Sequence, residues 1–155
     1  MKRIPILLAL ATLFVGVLVC YAAGDAIMGT WKLNEAKSKI SPGTAKNITG
    51  VYAAVGDSVK VTVDGVDANG KPTHSEWTGK FDGKDYPITG DPAADSRAYT
   101  RVDDHTLTFT NKKGGKASLT GRIVISADGK SRTVTTTSTD AKGNKTTSTL
   151  VYDKQ

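Results

Sequence analysis

The sequence predicts an all-β fold, an antiparallel up-and-down β-barrel of about ten strands. Three observations carry that expectation. Apolar residues recur with period 2 rather than 3.6 in run after run, as in strands with one buried face. Nine clusters of Gly, Asn, Asp and Pro punctuate these runs at short intervals, which is the chemistry of tight hairpins. Beyond its first 22 residues the chain is poor in apolar side chains and carries 20 of the 21 threonines. That composition disfavours a helical bundle and suits strands. A length of 155 residues suffices for one core.

The first segment reads as an address. Lys2 and Arg3 precede a nearly unbroken apolar run from Ile6 to Val19, and Cys20-Tyr21-Ala22-Ala23-Gly24-Asp25 follows. This order of positive, apolar and small residues is that of a secretory signal peptide, with cleavage after Ala22. The run is short for a bilayer span, which needs about 20 residues. The expected division is a signal peptide over 1–22 and a single barrel domain over 23–155, exported to the periplasm or secreted, with no membrane span once the signal is gone. A lipoprotein anchor on Cys20 is the rival reading, with Val19 where such signals carry Gly, Ala or Ser. Cleavage after Ala22 removes the only cysteine, so the domain relies on its core and hydrogen bonds. It leaves 19 basic against 15 acidic residues, a formal +4.

The strands follow in order. The first, over 29–34, opens on Gly29-Thr30-Trp31-Lys32-Leu33, and Ser41-Pro42-Gly43 interrupts the path to the second, over 46–55. Gly56-Asp57 turns into 58–66, where Val59, Val61 and Val63 alternate with Lys60, Thr62 and Asp64. Asp67-Ala68-Asn69-Gly70 turns into 73–81, with Trp77, Gly79 and Phe81 on one face. Asp82-Gly83 and Gly90-Asp91-Pro92 bound a short strand over 85–89. Strands 96–102 and 105–112 meet at Asp103-Asp104, and Leu107 and Phe109 alternate with threonines. Gly114-Gly115 leads into 116–127, where Leu119, Gly121, Ile123 and Ile125 share a face. Asp128-Gly129 and Gly143-Asn144 delimit 131–140 and 145–153. An open sheet of ten strands leaves two long edges, and closure into a barrel removes them. The last two strands put Thr on both faces. Cross-strand Thr pairs explain this; a polar, water-holding interior or a Thr-presenting surface are the functional readings.

Gly29-Thr30-Trp31-Lys32-Leu33 resembles the N-terminal Gly-x-Trp signature of the calycins, the lipocalins and intracellular fatty-acid-binding proteins. The resemblance makes Gly29 and Trp31 the structural signature and implies that Trp31 packs across a closed barrel end. Ten strands are similar to the fatty-acid-binding barrel, whereas an export signal is similar to lipocalins. The chain also resembles small exported bacterial proteins of lipocalin-like type whose role is undefined. It departs from the fatty-acid-binding pattern twice. Only Asn34 to Lys46 is available for a portal helix pair, and the carboxylate-binding Arg-x-Tyr falls on Leu150-Val151-Tyr152, with Leu150 in place of Arg.

Arg97, Tyr99 and Arg101 share one face of their strand. Pointing inward, they would suit a ligand carboxylate or phosphate, since Arg offers paired planar donors. Pointing outward, they form a solvated face with Ala98 and Val102 in the core. The rarity of unpaired buried charge favours the outward reading. Trp31, Trp77, Phe81, Tyr86, Phe109 and Tyr152 either line a ligand cavity or fill a core. Gly65 to Gly70 with Glu76 partly matches a calcium loop, but Gly65 stands at the first ligand position and both flanks read as strands, so a hairpin turn explains it.

His74 and His105 have no second His or Cys at ligand spacing, so no metal and no cofactor is expected. Asp103, His105 and Ser118 compose a nucleophile–base set only on paper, and no enzyme activity is expected. Lys112, Lys113, Lys116 and Arg122 surround the Gly114-Gly115 turn. They lack the interleaved exposed aromatics of a nucleic-acid surface, so a solvated hairpin tip is expected and nucleic acid is not.

The function expected is noncovalent binding or carriage of a small hydrophobic or amphipathic ligand by an exported monomer. The candidate ligand-binding residues are Arg97, Tyr99, Arg101, Trp77, Phe81, Phe109 and Tyr152. The alternative is an envelope or extracellular interaction module whose barrel is filled by its own side chains.

Overall fold

The computed structural model describes residues 24–140 and 142–155. The segment read as a signal, including Cys20, lies outside them. Ten strands, β1 (Gly29–Leu33), β2 (Lys46–Val55), β3 (Ser58–Val66), β4 (Pro72–Gly79), β5 (Tyr86–Thr89), β6 (Ser96–Asp103), β7 (Thr106–Lys113), β8 (Lys116–Ile125), β9 (Ser131–Thr139) and β10 (Lys145–Lys154), form the body of the molecule. Every limit falls within two residues of the expected one. All pairings are antiparallel, and the meander closes because β1 pairs with both β2 and β10. No edge is left to template association. Among the described residues no helix is long and apolar enough to cross a membrane.

One end of the barrel is sealed. Trp31 and Ile27 are fully buried there, in one core cluster with Val61, Leu107 and Ile125. The chain ahead of β1 folds back over this end. The Met28 amide donates to the Asp25 carbonyl over 2.9 Å, and the Trp31 indole N–H donates to the Ile27 carbonyl over 2.7 Å. Lys154 Nζ donates to the Ala26 carbonyl over 3.1 Å and lies 5.1 Å from the Trp31 ring centre. Asp25 pairs with Arg101. A Cβ on Gly29, where φ is 112°, would meet the Lys154 side chain at 3.0 Å, so this position favours glycine twice over.

The other end carries the β3–β4, β5–β6, β7–β8 and β9–β10 connections together with the longer β1–β2 link. That link holds a single 3-10 turn over Glu35–Lys37, capped by the Asn34 side chain, and no helix pair. It is then stitched to β10: the backbones of Lys39 and Thr149 exchange two hydrogen bonds, and the Ser41 amide donates to Ser148 Oγ over 3.1 Å.

The facing of β6 corrects the sequence expectation. Arg97 and Tyr99 point into the barrel and are only 6% and 2% exposed, while Val102, assigned to the core, is 52% exposed. Cross-strand register is the reason. Tyr99 stands opposite Phe109, Arg97 opposite Asn111 and Arg101 opposite Leu107. Directly paired residues share a face, and the β7 face carrying Leu107 and Phe109 is the apolar one. The threonines of β9 and β10 divide in a similar way. Thr136 and Ser138 line the interior, while Thr137 and Thr147 stand opposite each other outside, with hydroxyls 3.3 Å apart.

Candidate functional site

Between the sealed end and the mouth the barrel encloses a cavity of about 280 Å³. Val63, Leu119, Ile123, Val134 and Leu150 supply an aliphatic wall, and Phe109, Tyr52, Tyr99 and Tyr152 an aromatic one. Asp67, Asp91, Ser118 and Ser138 stand toward the mouth. Gly121 helps make the space. It lies opposite Phe109 in the β7–β8 register, and a Cβ there would come within 2.3 Å of the Phe109 ring.

Two guanidinium groups project into this enclosure. Arg97 is well partnered. Its Nε donates to Asn111 Oδ1 over 2.6 Å and its Nη1 to the Tyr99 hydroxyl over 3.2 Å, and Asp91 Oδ2 lies 3.9 Å from Nη2. Arg132, 5% exposed, is not. Its guanidinium carbon lies 4.9 Å from the Trp31 ring centre and 4.8 Å from those of both Tyr52 and Tyr152. Ring faces attract a cation by about 2 kcal/mol or more when dry, but they accept no N–H. Arg132 Nε and Nη1 are buried without a hydrogen-bond partner, and Arg132 takes part in no ion pair among the described residues. Burying an ion costs several kcal/mol even after relaxation, and an unmet buried donor adds about 1–3 kcal/mol. The cavity wall thus carries two arginines against two aspartates near the mouth, and Arg132 is the charged group there that no carboxylate meets.

The tyrosines register that field. Burial alone pushes the Tyr52 phenol up, but the Arg132 charge, the hydrogen bond with Tyr99, the Arg97 charge and a weaker hydrogen-bonding contribution from Arg132 together hold it below the ordinary tyrosine value. The Tyr52 and Tyr99 hydroxyls are 3.4 Å apart. Tyr99 and Tyr152 are both raised, first by burial, and the Tyr152 hydroxyl donates to the Asn47 carbonyl over 2.9 Å.

Of the seven side chains named from the sequence for ligand contact, Arg97, Tyr99, Phe109 and Tyr152 line the cavity. Trp77, Phe81 and Arg101 lie outside its wall. Trp77 is buried toward the sealed end with its indole N–H on the Arg97 carbonyl at 2.9 Å, and Phe81 stacks on it at 6.3 Å. Arg101 is engaged by Asp25 and lies over Phe81. Sequence reasoning passed over Tyr52 and Arg132. The signal for Arg132 was present in pairing: it stands opposite Tyr152 on β10 and Ile125 on β8, both inward.

The remaining motifs fall into turns. Asp67 Oδ1 accepts from the amides of Asn69 and Lys71, as in a hairpin. Asp103 accepts from the His105 backbone near the sealed end, whereas Ser118 bonds the Ala93 carbonyl at the mouth, so the paper triad is not assembled. Among the described residues no group of three His, Cys, Asp or Glu side chains is disposed to hold a metal ion. Lys112 of the basic hairpin is paired with Asp85.

No known family's profile matches the chain, and no curated protein matches it. Two solved barrels are similar in outline. One, described as EF1p2_mFAP2b bound to DFHBI, is 11% identical, with 84% of this chain and 94% of that chain covered at a TM-score of 0.47. The other, a redesigned beta barrel, mFAP1, bound to DFHBI, is 16% identical, with coverage of 83% and 95% at a TM-score of 0.44.

Proposed function

We propose that this chain is an exported, noncovalent binder of a small amphipathic molecule, which it carries inside the barrel without a covalent step. The single observation that supports this most is the enclosed 280 Å³ space with an aliphatic wall and a cluster of Arg and Tyr side chains. Small-molecule sites have this composition: mostly apolar, with a few convergent polar groups. Burial of apolar ligand surface contributes about 25 cal/mol per Å², and the polar cluster orients the ligand. The competing reading of a barrel filled by its own side chains describes only the sealed half, around Trp31, Ile27 and Leu107.

Binding is tested by titration calorimetry with two isosteric probes, 2-naphthoate and its neutral amide. Saturable one-to-one binding of either supports the reading, and failure of both overturns it. A lipid-sized adduct retained in native mass spectra of protein from its own host supports carriage directly. Export is tested by N-terminal sequencing of the protein outside the cytoplasm. A chain beginning at Ala23 is expected, and retention of the uncut chain in the cytoplasm would overturn that part.

A further inference from the structure

We propose that the ligand is a compact organic monoanion, such as a short or aromatic carboxylate, whose negative group is received by Arg132. This deepens the binding reading and rests on it. The charge follows from the partners already present. Arg97 has Asn111, Tyr99 and Asp91, and Arg101 has Asp25. Arg132 has no such set: among the described residues Nε and Nη1 are shut in by three rings without a hydrogen bond, the Tyr52 hydroxyl is the nearby acceptor, and Nη2, beside cavity-lining Gly50, is the end left to meet a ligand. A half-caged arginine that no carboxylate meets favours a ligand with one negative charge, delivered with oxygen acceptors.

Size and location follow from the cavity. About 280 Å³ lies at the floor of the range for small-molecule sites, roughly 300–1,000 Å³. Room of that order suits a one- or two-ring body against Phe109, Leu119 and Leu150, and disfavours a long acyl chain. The anionic subsite also differs in origin from the Arg-x-Tyr arrangement considered from the sequence. Leu150 stands where that arrangement has its Arg, and the guanidinium arrives instead from β9, in register opposite Tyr152. Gly50 leaves the room for it: a Cβ there would lie 3.1 Å from Arg132 Nη2.

The test compares affinities of the purified protein for 2-naphthoate, 2-naphthamide, naphthalene-2,6-dicarboxylate and palmitate. Naphthoate is expected to bind at least about tenfold tighter than the amide, as charge-assisted hydrogen bonds imply. A buried pair is weakly screened, so most of that preference persists when ionic strength rises from low values to about 0.5 M. In Arg132→Met the preference disappears while the amide still binds, and the unliganded variant unfolds at no lower temperature than the wild type. The thermal result separates a ligand-receiving arginine from a structural one, whose loss would destabilise the empty barrel. Equal affinity for naphthoate and amide in the wild type overturns the inference and leaves barrel binding intact, a comparison that needs no variant to fold. Tighter binding of the dicarboxylate overturns the single charge, and tighter binding of palmitate overturns the size limit. Binding of none of the four overturns the underlying reading as well.

Discussion

Arg97 and Arg132 are almost equally buried, yet their neighbours give them different roles. Arg97 is locked by an amide, a phenol and a nearby carboxylate, so it braces β6 against β7. Trp31 shows how closely a single side chain is specified at the sealed end. Trp31→Phe keeps an aromatic ring but strips the Ile27 carbonyl of its indole donor. Leaving that buried acceptor unmet is expected to cost about 1–3 kcal/mol in urea unfolding. His74 on the outer wall offers a pH readout. Its hydrogen bond to Asp64, 2.7 Å, holds it above the ordinary histidine value against an opposing desolvation, with the Asp64 and Glu76 charges adding to the rise. A raised folded-state value means that its contribution to stability is complete below about pH 6.5, the unfolded value, and is lost as pH rises through the folded one. In a proton NMR titration Asp64→Asn is expected to lower the His74 midpoint.

At the scale of elements, Gly121 and Phe109 act as one cross-strand unit. Gly121→Ala would drive its Cβ into the ring. The expected result is a loss of about 1–3 kcal/mol, typical of overpacking, together with weaker ligand binding as Phe109 tilts into the cavity; chemical denaturation and calorimetry read the two effects separately. The strands themselves were legible because alternation and turn chemistry are local. The inward face of β6 was not, because Arg97-Tyr99-Arg101 and Ala98-Thr100-Val102 each mix apolar and polar groups, and burial preference alone selects the wrong one. Folding a two-residue Asp103-Asp104 hairpin and counting outward sets Ala98 opposite Phe109 and repeats that choice; the register shift between Arg101 and Asp103 is what brings Tyr99 opposite Phe109. Arg132 was hidden for a related reason. Val134 is the one apolar marker on its face of β9, and threonines occupy both sides, so only pairing with Ile125 and Tyr152 reveals where it goes.

For the whole molecule, turn carboxylates set the acid limit. Asp82 is held below its ordinary value first by the Lys84 amide, Asp103 by the His105 amide, Asp128 by the Ser126 hydroxyl and Asp140 by the Asn144 side chain. Depressed folded-state values place their contributions above about pH 3.9 and withdraw them as pH falls through the lower folded values. A thermal midpoint steady near pH 5 and dropping toward pH 2 is the expected profile. Ligand acts in the opposite direction. A probe at about 100 times its Kd is expected to add about 2.7 kcal/mol, measurable as a higher urea midpoint.

The closure of the barrel also fixes where the described residues begin and finish. Gly24 leads into the segment folded over the sealed base, and Gln155 finishes beside it, its amide donating to the Thr30 carbonyl over 2.9 Å. Gly24 and Gln155 thus both lie at the floor, and the entrance lies at the far rim. A fusion partner or sensor-chip linkage attached after Gln155 would hold the barrel by its floor, with its opening turned toward the surrounding solution.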